Sequence, residues 1–201
     1  MATMNAIDNL VIPLPLKFGG SGDTSFATST GIIKYDGTKL VTSSTAKIDA
    51  SNRMTNTGQP AFSAYYNDTL ANVTGDGTAY NIVLNTEQFD QDNNFASGTT
   101  FTAPVTGKYM FFYSLVVGGV STSFTDNTCY LETTAATYLS VKWNNATDVT
   151  TGGNQIINNS HLVDMTAGDT ANFYIKYSGG TKIIDVLWPG AIYPSGGYLI
   201  C

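Results

Sequence analysis

The stretch FTAPVTGKYMFFYS, residues 101–114, decides the fold. A short Phe-Thr-Ala-Pro strand runs into a turn holding Pro104 and Gly107, and a second strand follows. Side chains on a strand alternate between its two faces. One face therefore carries Tyr109, Phe111, Tyr113, Leu115 and Val117, and the other Met110, Phe112, Ser114 and Val116. Both sets are largely apolar, whereas an antiparallel strand with one wet face alternates apolar with polar. The strand must be covered twice, once by its own core and once by something else. The simplest cover is another copy of the chain.

Working outward from that strand, the polar residues are mostly uncharged. Charged residues make up 12% of the 201-residue chain, well below the roughly 25% of an average soluble domain. Thr is the commonest residue, a composition that suits strands and turns rather than helices. The nine Lys and Arg are scattered and the net charge is -6, which argues against nucleic acid or an anionic membrane surface as partner. No segment approaches the ~18 apolar residues of a membrane span, and the N-terminus lacks the basic and apolar regions of a signal peptide. Cys129 and Cys201 are read as two reduced thiols rather than a disulfide framework.

Three regions follow from the pattern. Residues 1–20 read as an extended arm. Pro13 and Pro15 exclude helix there, and Val11, Ile12, Leu14 and Leu16 are its apolar anchor candidates. Residues 21–58 hold two short strand-like units, GIIKYDGTKLV and AKIDASNRMTN, with turns at Asp36-Gly37 and Ser51-Asn52. They read either as a neck, which could bury a core if three copies wound together, or as a loosely ordered linker. From 59 to 201, strand-like runs alternate with turn clusters at about ten-residue spacing. No helical periodicity intervenes, which points to an all-β sandwich or jelly roll. The strand candidates are AFSAYY, YNIVLN, EQFDQDNNF, TCYLET, ATYLSVKW, NQIINNSHLVDM, ANFYIKY, TKIIDVLW and GGYLIC.

Over 59–201 the landmarks resemble the globular head domain of complement component 1, subcomponent q, in the tumour-necrosis-factor-like superfamily. AFSAYY is similar to that family's opening strand. Phe101, Gly107, Tyr109, Phe111 and Tyr113 stand at the spacing of its central signature, with Asp90 and Phe95 upstream. HLVDMTAGDTANFYI resembles its late hairpin, and SGGYLIC its closing strand. Two departures are Leu84, where the signature prefers Phe, and a gap from Phe95 to Phe101 that is one residue short. The resemblance implies a jelly roll of about ten strands that assembles as a homotrimer, with Tyr109, Phe111, Phe112 and Tyr113 at the trimer interface.

The remaining segments differ from animal members of that family, having no collagen-like stalk. LPLKFGGSGDTSF, KIDASNRMT, GDGTAYNIVLN and FTAPVTGKY are similar to stretches of phage and viral tail-fibre or spike proteins. That looser resemblance implies a virion surface protein made in the host cytoplasm. Its arm would engage other virion proteins, and its head would meet a host glycan or surface protein. The alternative is a purely structural protein that stabilises the capsid or a vertex.

Catalysis is hard to build from this sequence. His161 is the one histidine, and no nucleophile elbow accompanies it, so the expectation is a non-enzyme without cofactor. Asp90 and Asp92 read first as turn residues that cap their own backbone, and second as weak calcium candidates. Asp68 with Asp76 is a weaker calcium option still. Trp188 and Tyr193 are the candidate receptor contacts, since an aromatic face offers an apolar platform with a polar tip.

Overall fold

The computed structural model describes residues 31–38, 40–96, 98–142, 153–188 and 193–201. The arm candidates Val11, Ile12, Leu14 and Leu16 lie outside the described residues. The chain divides into two compact units, 1–58 and 59–201.

In the first unit, β1 (Gly31–Tyr35), β2 (Leu40–Ile48) and β3 (Met54–Asn56) form one antiparallel sheet in that order. The two sequence units are thus not separate repeats, because β2 runs through both and pairs with β1 at one end and β3 at the other.

The second unit is an all-β jelly-roll sandwich. Its first sheet takes the order β5 (Leu70–Thr74), β15 (Ile184–Leu187), β10 (Gly107–Gly118), β16 (Ser195–Leu199), β4 (Ala61–Tyr65), β7 (Thr86–Gln91). β13 (Gln155–Met165) pairs with β10 along nearly its whole length, from Gly107 opposite Met165 to Val117 opposite Gln155. The other edge of β10 is shared, with Tyr109–Phe112 bonded to β16 and Val116–Gly118 to β15.

The second sheet runs β12 (Thr137–Lys142), β11 (Asp126–Thr133), β14 (Thr170–Ser178), β9 (Thr100–Thr102), β8 (Phe95–Ala96). β6 (Ala79–Asn81) also pairs with β14. On β11 and β14, buried and half-buried residues alternate without a break, as expected where one face meets the core.

The YNIVLN run contributes only its start to a strand. Ile82 and Leu84 continue as buried coil, their amides bonded to Phe173 O at 2.8 Å and Gly98 O at 2.7 Å. A buried backbone group needs a partner, and here single bonds to neighbouring segments replace a ladder.

The core is aromatic at its centre. Phe62 stacks on Phe95 with centroids 4.3 Å apart and on Phe101 at 5.4 Å. Phe101 meets Tyr109 and Phe111 edge-on at 5.5 and 5.4 Å, a geometry aromatic quadrupoles favour. Phe111 and Tyr113 then reach Phe173 of the facing sheet at 6.2 and 5.5 Å. Two adjacent glycines on β16 make room for this. A Cβ on Gly197 would stand 2.5 Å from the Phe111 ring, and one on Gly196 would stand 2.3 Å from Phe62 O. The Gly-Gly pair in SGGYLIC is therefore a close-approach requirement rather than a turn.

Candidate functional site

The tests of function fall on the outward side of the first sheet. Because β10 alternates, the five residues read as one face turn inward. Tyr109 and Phe111 are 0% exposed and Tyr113 is 2% exposed. The Tyr109 hydroxyl donates to Val105 O at 2.7 Å. These three side chains are sealed in the protomer's own core and cannot touch another copy, which corrects their assignment to a trimer interface. Of the four residues assigned there, only Phe112 lies on the outward face, where it is half-buried.

The register of the sheet shows what surrounds Phe112. Directly opposed residues of antiparallel strands share a face. Met110 sits opposite Leu162 of β13 and Tyr198 of β16, and Phe112 sits opposite Ser160 and Gly196. The ring of Phe112 lies over Gly196, with its Cζ 2.9 Å from where a Cβ would be. Across β4, Tyr198 faces Ala61, Gly196 faces Ser63, and Ser63 faces Phe89 of β7. The outward face thus carries Leu162, Met110, Phe112, Tyr198 and Phe89. Leu162 is 56%, Phe89 52% and Tyr198 43% exposed.

Charge is confined to the margin of this face. Lys108, one alternation before Met110, meets Asp164 across the β10–β13 pair at 2.6 Å. That carboxylate raises the Lys108 pKa. Ser114, Asn158 and Ser160 continue the face as uncharged polar groups. With Phe112 and Pro194 they line a shallow open depression, in which Ser114 Oγ donates to Asn158 Oδ1 at 2.5 Å. Sequence alternation had separated the two faces of β10 but held no signal for which one the core would claim. Tyr198, Leu162 and Phe89 stand far apart in the sequence, and only the pairing of β13, β10, β16, β4 and β7 brings them onto one face.

The remaining candidates fall elsewhere. Trp188 is 45% exposed, and its backbone amide donates to Thr69 Oγ1 at 3.1 Å. Tyr193 is half-buried beside Tyr66 in a narrow recess. Burial pushes the Tyr66 hydroxyl up to about 12. Residues 189–192 between Trp188 and Tyr193 lie outside the described residues.

Asp90 is committed to its turn. Its two carboxylate oxygens accept the amides of Asn94 at 3.1 Å and Phe95 at 3.0 Å. Asp92 and Asn93 adopt left-handed φ of 74° and 54°, and Asp92 accepts from the Asn94 side chain. Asp68 and Asp76 likewise accept nearby backbone amides, those of Thr69 and Thr78. Among the described residues no three His, Cys, Asp or Glu side chains are grouped closely enough to hold a metal ion.

His161 is half-buried on β13 between the rings of Tyr113 and Tyr138, at centroid distances of 6.4 and 6.0 Å. Burial lowers its pKa, so it is neutral at pH 7. Cys129 is fully buried, its thiol pushed up to about 12 by desolvation, while Cys201 is exposed, and both are free thiols.

No family model matches this sequence, and no curated protein matches it. Solved structures do. The globular domain of zebrafish complement 1qA superimposes with a TM-score of 0.50 at 17% identity, covering 71% of this chain and 98% of that one. The crystal structure of murine APRIL gives a TM-score of 0.47 at 10% identity, covering 71% of this chain and 99% of that one. The head of this protein therefore has the fold of the complement 1q globular domain.

Proposed function

We propose that this chain is a trimeric, non-enzymatic virion surface protein, a fibre, spike or capsid decoration whose jelly-roll head attaches to a host surface. The observation that carries the reading is the outward face of the first sheet. Five large apolar side chains on four strands of that sheet are partly or largely open, Leu162, Phe89 and Tyr198 the most, and charge appears only at the rim. A contiguous apolar face of this kind marks a contact between proteins. Three copies meeting through Met110, Phe112, Leu162, Tyr198 and Phe89 give the second covering that the sequence of β10 demands.

The particle assignment is supported by the likeness of the arm and neck stretches to phage and viral fibre segments. Residues 1–20 anchor the chain to other virion proteins through Val11, Ile12, Leu14 and Leu16. Trp188 and Tyr193 are the receptor contacts, for a glycan or a surface protein. Three heads present three weak sites at once, and avidity turns them into useful attachment. No cofactor enters this scheme.

Native mass spectrometry of the purified protein checks the assembly, and a trimer is expected where a monomer would refute it. Adsorption of virions to host cells in the presence of excess purified protein checks the attachment. Competition supports the head as the adhesin. Unchanged adsorption together with heat-labile particles on deletion of the chain would instead make it a capsid-stabilising protein.

A further inference from the structure

The outward face of the first sheet changes chemistry along β10. Its apolar rows end with Phe112 opposite Ser160, and the next row is Ser114 opposite Asn158. One row further on, Val116 stands opposite Ile156 and the face is apolar again. The polar row falls where the sheet forks. β16 pairs with β10 over Tyr109–Phe112 and β15 over Val116–Gly118, so no strand pairs with that edge at residues 113–115. Ser195 fills the gap, its Oγ accepting the Ser114 amide at 3.2 Å. The depression at this fork is lined by Phe112, Ser114, Asn158, Ser160 and Pro194 and has a volume of about 490 Å³. That lies within the roughly 300–1,000 Å³ of small-molecule sites.

The lining sorts the possible ligands. It contains no Lys, Arg or His, so an anion finds no partner there. Lys108 on the same face is six residues from Ser114, roughly 20 Å along the strand, and is held by Asp164. The lining contains no carboxylate either, so a cation fares no better. An apolar ligand would strip water from the exposed Asn158 and Ser160 and give nothing back. What the depression offers is both halves of a hydrogen bond beside an aromatic ring. Asn158 Oδ1 accepts from Ser114 Oγ at 2.5 Å, which fixes the amide and leaves its two Nδ2 donors for a ligand. The Ser114 and Ser160 hydroxyls keep acceptor lone pairs. A sugar uses such a set, since each of its hydroxyls both donates and accepts, while its C–H side packs on an aromatic ring.

We infer that this depression binds a neutral sugar, held by Asn158, Ser114 and Ser160 against the ring of Phe112. The inference rests on the attachment reading of the head and gives its ligand a chemical class and a place, beside Tyr193, which directly precedes Pro194. The polar row offers a neighbouring copy no apolar area to bury, so it stays open next to the proposed trimer contact.

Saturation-transfer NMR on the purified full chain tests this, with the methyl glycosides of glucose, galactose, mannose and N-acetylglucosamine as probes. At least one glycoside is expected to receive transfer from the protein. Asn158→Ala removes the donors at an exposed position, where folding does not depend on them, and should weaken that glycoside about tenfold. Ser160→Ala should weaken it in the same direction. No transfer to any of the four at tens of millimolar overturns the inference. So does binding that Trp188→Ala abolishes and Asn158→Ala leaves intact, because the sugar then sits elsewhere. Leu162→Asp, aimed at the trimer contact, covers the remaining case. A glycoside that binds this variant but not wild type would show the depression to be filled by the neighbouring copy, and that too overturns the inference. The attachment reading fails separately. Purified protein that competes with virions for host cells while binding none of the four glycosides keeps the attachment and removes this site. Glycoside binding that Asn158→Ala weakens, with no competition for cells, keeps the site and removes the attachment.

Discussion

Phe111→Ala and Phe112→Ala, one residue apart on β10, should fail in different ways. Phe111 is fully buried and its ring meets those of Phe101 and Phe173, both on the facing sheet. Truncating a buried Phe costs about 3–5 kcal/mol through lost transfer and the cavity left behind. At about 3 °C per kcal/mol for a head of this size, Tm should fall by roughly 10–15 °C. That fall should not depend on protein concentration, because the loss is inside one protomer. Phe112 is half-open in the protomer and loses about 1 kcal/mol there. In the proposed trimer its main loss would come from the assembled face, once in each copy. Phe112→Ala should therefore weaken the trimer and make Tm rise with protein concentration over a range where wild type is already assembled. Differential scanning calorimetry over a concentration series, with native mass spectrometry at each point, separates the two. The reasoning fails if Phe112→Ala lowers Tm by as much as Phe111→Ala at concentrations where both are monomeric. It fails equally if Phe111→Ala alone dissociates the trimer at unchanged protomer stability.

Three further outcomes follow from the same packing. Gly197→Ala puts a methyl 2.5 Å from the Phe111 ring and 3.2 Å from Met110 O. Overpacking of this kind should cost about 1–3 kcal/mol in a urea titration, whereas Gly168→Ala meets no neighbour and should cost only its φ of +93°. His161 has its pKa lowered by burial, so between its unfolded value near 6.5 and its lower folded value the unfolded state binds the extra proton. Stability should be complete above that window and fall as pH drops through it, and His161→Gln should flatten the slope of the urea midpoint as pH falls below about 6.5. Cys201 should react with a maleimide within minutes at neutral pH. Cys129, buried and with its thiol near 12, should react only on the timescale of unfolding; rapid labelling of both in the folded protein would refute its burial.

Much of the head was legible because its strands obey period two and its turns use residues that suit them. AFSAYY, TCYLET, ANFYIKY and GGYLIC all became strands, and Gly168-Asp169 turns as its residues suggest, with Thr166 N bonded to Asp169 Oδ2. YNIVLN failed as a full strand because Ile82 and Leu84 are held by tertiary hydrogen bonds to Phe173 and Gly98, which no local pattern encodes. Asp90 lies near the end of β7 rather than in the turn, and its carboxylate caps the turn that follows by accepting the Asn94 and Phe95 amides. The neck's two units looked like repeats because each carries its own turn, and only the pairing of β2 with both neighbours shows them to be one sheet.

The assembly residues were harder, and the reason is geometric. A strand apolar on both faces says that two surfaces cover it, but period two is symmetric between those faces. What breaks the symmetry lies more than eighty residues away, in Gly196 and Gly197. With no side chain at Gly197, the Phe111 ring can lie flat against β16 from the inside. With none at Gly196, Phe112 can lie on the same strand from the outside. One glycine makes room on the core face of β10 and the next on its outward face. A substitution series at this pair should therefore reproduce, from the opposite strand, the division between folding and assembly expected at Phe111 and Phe112. Gly196 carries one complication, because a Cβ there also meets Phe62 O at 2.3 Å. Gly196→Ala should thus lower both protomer stability and trimer affinity, while Gly197→Ala should lower the first alone.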